Sequence, residues 1–276
     1  MSDCHDAMVF MPNLHEIHLE KALITTNFLR SLTKLFALRK LSLDQAELDI
    51  DFKYLRHFIT PQLDTLQFGQ SIYISQMKKL LPYIDLKDMR HFKAPHCSFV
   101  TTVPRWQGPL TLALESLELL EVDDMDALKR VLANTPQLKK LHIISGCDSE
   151  TFDNLLLPKL EILQAPASTC RHLVPGRPIS SLTISWRPGT RYTSLRGHDA
   201  DTFCLSTQTL RHLGVPLHFY INTPFSRSFK GLRSLELNVT ADLVYYRGLT
   251  PTASWTIDEV SSHTEPIDAS TEPSDS

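Results

Sequence analysis

The stretch Leu138-Lys139-Lys140-Leu141-His142-Ile143-Ile144-Ser145-Gly146-Cys147, LKKLHIISGC, admits three readings. Its paired lysines suggest a basic patch, His142 and Cys147 suggest metal or thiol chemistry, and its leucine spacing suggests architecture. The spacing decides, because it recurs. Apolar residues at positions one, four and six of LKKLHI reappear as Leu14-Ile17-Leu19, Leu38-Leu41-Leu43, Leu63-Leu66-Phe68, Met89-Phe92-Ala94 and Leu117-Leu120-Val122. Beyond Leu138-Leu141-Ile143 they continue as Leu160-Leu163-Ala165, Ile179-Leu182-Ile184, Leu210-Leu213-Val215 and Leu232-Leu235-Leu237.

From Leu14 to Leu232 the nine intervals average about 24 residues, inside the ~20–29-residue period of leucine-rich repeats. Pro12, Pro61, Pro136 and Pro158 each stand two residues before a first anchor, where proline stops a helix and favours extended chain. Ala94-Pro95, Ala165-Pro166 and Val215-Pro216 predict strand ends, since proline has no N–H for a ladder bond. Residues 23–36, 51–59, 74–83 and 125–134 space apolar side chains by three or four, as helices do. One unit is thus a strand, a turn and a helix, with an apolar face that only neighbouring units cover. The expected fold is a right-handed α/β leucine-rich-repeat solenoid of about ten degenerate repeats, with parallel strands on the concave side and helices on the convex side.

This reading assigns residues 1–247 to the solenoid, with irregular Pro-, Gly- and polar-rich loops near 95–113 and 185–205. Residues 248–276 read as a disordered, acidic Ser/Thr/Pro-rich tail, too poor in apolar side chains to offset ordering entropy.

Composition narrows the function. The 276 residues are 42% hydrophobic, enough for a core without disulfides or metals. Five scattered cysteines (Cys4, Cys97, Cys147, Cys170, Cys204) with no CxxC pair read as reduced thiols of a cytoplasmic or nuclear protein. Nothing in MSDCHDAMVFMPNL resembles an export signal, and no apolar run approaches the ~18 residues of a membrane span. Asn238-Val239-Thr240 is a lone glycosylation sequon, read as chance. Net charge is −3. Six acids and no Lys or Arg follow Arg247, so the body before the tail carries +3, too little for a dedicated nucleic-acid binder.

The chain has no GxSxG, GxxxxGK[ST], GxGxxG or HExxH motif, and no cofactor or metal is expected. His15 and His18 fall on a predicted strand with opposite orientations, so they cannot share a metal. A cysteine enzyme would use Cys97 or Cys147 with a nearby histidine, and is the alternative reading. A third reading is nucleic-acid binding through the arginines of the 185–205 loop. That loop carries Trp186, Arg187, Arg191, Tyr192 and Arg196, residue types enriched at binding hot spots.

In L-x-x-L-x-L the residue between the second and third anchors points to solvent. That column reads His18, Ser42, Gln67, Lys93, Glu121, His142, Gln164, Thr183, Gly214 and Glu236. Its mixture of charge, amide and imidazole suits a protein or peptide partner better than a polyanion.

The copies TPQLKKLHIISGC, LPKLEILQAP and TQTLRHLGVP resemble the leucine-rich-repeat region of F-box proteins, especially the large fungal sets, over roughly residues 8–247. The resemblance implies a non-enzymatic substrate-recognition scaffold of a cullin-type ubiquitin ligase. Such proteins usually carry an N-terminal F-box that binds the ligase adaptor. Here the first repeat begins by Leu14, so adaptor binding is expected only if an F-box lies upstream of Met1. LPYIDLKDM (81–89) echoes an F-box opening but ends on the repeat anchor Met89.

Overall fold

The computed structural model describes residues 10–50, 62–69, 87–97, 112–146, 156–185, 199–222, 231–238 and 254–258, with single positions 72, 75, 77, 80, 81, 84, 152 and 229. The chain is α/β and is organised by one large sheet. Its strands are β1 (Glu16–Glu20), β3 (Lys40–Asp44), β5 (Thr65–Phe68), β6 (His91–His96), β7 (Ser116–Val122), β8 (Lys140–Gly146), β9 (Ile162–Ala165), β10 (Ser181–Ile184), β11 (His212–Pro216) and β12 (Ser234–Asn238). These ten run parallel in chain order, and β13 (Ser254–Asp258) adds antiparallel to β12. That strand lies inside the segment expected to be disordered from residue 248. A two-stranded parallel sheet of β2 (Leu23–Thr25) and β4 (Glu47–Asp49) lies apart.

The register follows one apolar row: Ile17, Leu41, Leu66, Phe92, Leu117, Leu141, Leu163, Leu182, Leu213 and Leu235 are successive partners. Each is 7% exposed or less, and the second row, from Leu43 through Phe68, Ala94, Leu119 and Ile143 to Leu237, is buried with it. A backbone pattern fixes the same register independently. The carbonyls of His15, Arg39, Asp64, Arg90, Glu115, Lys139, Glu161, Ser180 and Arg211 each accept two successive N–H groups from the start of the next strand, at 2.8–3.2 Å.

This pattern corrects the expected repeat at 117–122. Glu115 stands where Lys139 and Arg90 stand, so the anchors are Leu114, Leu117 and Leu119, all within 1% exposure. Leu120, expected as an anchor, is only partly buried. The sequence LALESLELLEV satisfies either frame, and only the backbone pairing distinguishes them.

Five of the ten repeats open with the same turn among the described residues. The N–H of Leu14, Leu38, Leu138, Leu160 and Leu232 donates to the carbonyl three residues earlier, on Met11, Leu35, Thr135, Leu157 and Phe229. Pro12, Pro136 and Pro158 occupy the second position of this turn, where a preset φ near −65° fits. Their role is therefore turn formation more than helix termination. β9 stops at Ala165, just before Pro166, and β11 stops on Pro216, as expected, whereas β6 runs past Pro95 to His96. A proline in a parallel strand forfeits one ladder bond while flanking residues keep theirs.

The helices are α1 (Thr26–Leu32), α2 (Met125–Ala133), α3 (Ala167–Leu173), α4 (Asp199–Phe203) and α5 (Leu217–Asn222). The helix expected over 23–36 begins only at Thr26, because Leu23-Ile24-Thr25, two of them β-branched, forms β2 and Thr25 caps α1 by accepting from Phe28 N–H at 3.3 Å. The 125–134 helix holds: Asp124 Oδ1 caps α2 on Ala127 N–H at 2.9 Å, and Met125, Leu128, Val131 and Leu132 are buried. Of 74–83, Ser75, Met77 and Leu80 are helical, and 51–59 lies outside the described residues.

Candidate functional site

Strand pairing carries the outward column across ten strands: His18, Ser42, Gln67, Lys93, Glu118, His142, Gln164, Thr183, Gly214 and Glu236. Nine of the ten expected positions fall in it. Glu121 does not. The three-residue frame correction puts Glu118 between Lys93 and His142, while Glu121 pairs with His96 and Ser145 further along. Trp186, Arg187, Arg191, Tyr192 and Arg196 lie outside the described residues, as does Cys147.

The column has three sections. At its centre the carboxylate of Glu118 takes Lys93 Nζ at 2.6 Å and stands 3.8 Å from His142 Nδ1. Burial holds the His142 imidazole below its usual range; Glu118 opposes this, and Lys140 and Lys93 reinforce it. Its Nε2 is buried without a hydrogen-bond partner, as is Nδ1 of His96, which is 3.6 Å from Glu121 Oε2. Towards β12, Gln164, Thr183 and Gly214 form an uncharged stretch ending at Glu236, 3.8 Å from His212 Nε2. Gly214 is required there: a Cβ would stand 2.8 Å from the Thr183 methyl.

Towards β1 the column opens into a groove of about 380 Å³. His18, Ser42, Gln67 and Lys93 line it with Asp44, Gln45, Phe68, Gly69 and Leu120. Gln45 has φ +49°, in the turn that follows β3, and Lys21 takes the same left-handed conformation after β1. Phe68 packs edge-on against Phe92 at 6.2 Å, so the groove has a rigid floor. Asp44, Gln45, Gly69 and Leu120 follow the third anchor and were not legible as site residues, because no motif marks them.

Cys97 can be assessed directly. It is fully buried; its S–H faces Asp124 O at 3.1 Å and Asp123 Oδ1 at 3.2 Å, and its sulfur accepts from Asp124 N–H at 3.4 Å. Burial pushes the thiol up to about 12. At neutral pH the thiolate is then on the order of one molecule in 10⁵, far from a nucleophile's requirement. Cys97 instead ties the end of β6 to the N-cap of α2. Iodoacetamide at neutral pH should modify Cys97 only after denaturant is added; alkylation of the folded chain at the rate of an exposed thiol would refute this role.

Among the described residues, no group of three or more His, Cys, Asp and Glu is placed to hold a metal ion. No described helix is long and apolar enough to cross a membrane. No family model matches the chain, and no curated protein matches it in sequence.

Proposed function

We propose that the chain is a leucine-rich-repeat solenoid and a non-enzymatic protein-docking scaffold, serving as the substrate-recognition region of an F-box-type ubiquitin ligase. The observation that carries this reading is repetition: the same two-donor backbone contact recurs at nine successive strand junctions. It keeps one row of side chains facing outward over ten strands, a surface of the size and mixed polarity that protein partners use. Two details add support. Cys97 stands three residues after the anchor Ala94, where the repeat consensus carries Asn or Cys, and it bonds the main chain of Asp124. Met89, at 1% exposure, packs as an anchor, so LPYIDLKDM runs into a repeat.

The test replaces Lys93, Glu118 and His142 together by Ala. These groups pair chiefly with one another and are partly exposed, so thermal unfolding should shift little. Capture of native partners, read by crosslinking and mass spectrometry, should drop about tenfold or more, the scale on which hot-spot removal acts. An unchanged set of partners would count against the outward column as the docking surface. Retrieval of a cullin adaptor by the protein expressed from its own gene, with any segment upstream of Met1 included, tests the ligase assignment separately.

A further inference from the structure

Five polar side chains without a partner among the described residues share the groove of the outward face. Elsewhere its charges answer one another across strands: Lys40 Nζ with Glu16 at 2.5 Å, Lys93 with Glu118 at 2.6 Å, His212 with Glu236 at 3.8 Å. In the groove, the side chains of His18, Ser42, Asp44, Gln45 and Gln67 have no hydrogen-bond or ionic partner among the described residues. Ser42 is 8% exposed as a residue. Asp44 reaches over the neighbouring strand because residue 69 is glycine: a Cβ there would lie 1.8 Å from Asp44 Oδ1.

These groups suit a peptide. From His18 on β1 to Lys93 on β6 there are three interstrand gaps of ~4.8 Å, about 14 Å, the length of roughly four extended residues at ~3.3 Å each. Gln45 and Gln67 each present a donor and an acceptor, as a peptide bond does, and Ser42 adds a hydroxyl. Lys93 is neutralised by Glu118, which leaves Asp44 as the unpaired charge of the lining. A carboxylate in that position attracts a cation and repels an acidic or phosphorylated segment.

From this we propose that the groove binds an extended polypeptide segment bearing a Lys or Arg, with the cation on Asp44 and the segment's backbone on Gln67, Gln45 and Ser42. The proposal rests on the docking-scaffold reading above and names its substrate class. Arginine fits best, since its guanidinium can form two parallel bonds to one carboxylate.

The probes are N-acetylated, C-amidated octapeptide pools, randomised except for a central Arg, Lys, Ala or Glu, titrated against the full chain by fluorescence anisotropy at low salt. The Arg and Lys pools should bind about tenfold or more tightly than the Glu pool, the effect of one charge-assisted contact. Asp44→Asn should erase that preference without moving the thermal midpoint, and Gln67→Ala should weaken every pool alike. Equal binding of the Arg and Glu pools, or an Arg preference that survives Asp44→Asn, overturns the proposal. A native partner that is lost by the Lys93/Glu118/His142 variant but held by both D44N and Q67A also overturns it, while leaving the docking scaffold in place.

Discussion

Replacing Arg177 by Ala should destabilise the fold by about 4 kcal/mol, among the largest effects of any single substitution in this chain. Arg177 is 1% exposed and heads the fully buried side chains by volume. Its guanidinium donates to three main-chain carbonyls: Nε to Leu156 at 2.7 Å, and Nη1 to His172 at 3.0 Å and Pro175 at 3.1 Å. The first carbonyl precedes β9 and the others belong to the end of α3, so one side chain joins the two arms of a repeat. Its own carbonyl accepts from Ser206 Oγ and from Thr207 N–H, both at 2.9 Å, extending the link to the next repeat. Gly176, at φ +75°, makes the left-handed turn that aims Arg177 inward. Alanine would take the donor from three partly buried carbonyls and leave a cavity where the stem packed, each lost donor costing roughly 1–3 kcal/mol before relaxation. Arg177→Lys should recover only part, because an ammonium lacks the planar fork. Urea unfolding at constant m reads the change; a loss below about 1 kcal/mol would contradict the role.

The second large effect is asymmetric. Arg171, in the last turn of α3, binds Asp199 at the start of α4 through Nε–Oδ1 at 2.5 Å and Nη2–Oδ2 at 2.9 Å. Asp199 is wholly buried and Arg171 keeps 25% of its side chain exposed. Arg171→Ala removes the cation from a carboxylate that cannot reach water, and should cost about 3–5 kcal/mol. Asp199→Ala strands a guanidinium that can turn outward, and should cost less, about 1–3 kcal/mol. Replacing both, as Arg171→Met with Asp199→Leu, should restore much of the loss, because an apolar pair of similar volume avoids the buried charge altogether. Equal costs for the two single variants, or a double variant no better than Arg171→Ala, would show that the pair is not what joins α3 to α4.

Both interactions lie where the sequence is least informative. Asp199 falls in 185–205, which reads as loop because GHDADTF has little apolar periodicity. A five-residue helix has too few internal hydrogen bonds to form from propensity, so α4 depends on a contact 28 residues away in sequence. Arg177 carries no local sign of burial either. An isolated arginine in VPGRP looks like a solvated turn until the carbonyls of Leu156, His172 and Pro175 are brought around it.

The frame error at β7 has a similar cause. Leucines at 110, 112, 114, 117, 119 and 120 satisfy two spacings, so periodicity alone placed Glu121 in the outward column. Glu118 belongs there because Glu115 accepts the N–H groups of Lys139 and Lys140, and a backbone ladder permits one register. Charge reinforces that choice. Glu115 bonds Lys139 at 2.9 Å and stands 3.9 Å from Arg90; Lys139 draws the carboxyl below its usual range, and Glu115 raises the ammonium in return. These pairs are exposed and add little stability, but a slipped strand would lose them.

The sequence by itself determined the α/β class, the repeat length, the parallel order of the strands and nine of the ten outward positions. All of these follow from local periodicity, in which each residue's facing is set by its neighbours one to six places away. Only the tertiary structure decided the frame of β7, the burial of Arg177, the Arg171–Asp199 pair and the groove around Asp44 and Gly69. Those features join residues from different repeats. Their geometry depends on how one strand's carbonyls, glycines and charges meet the next, and no stretch of contiguous sequence contains that information.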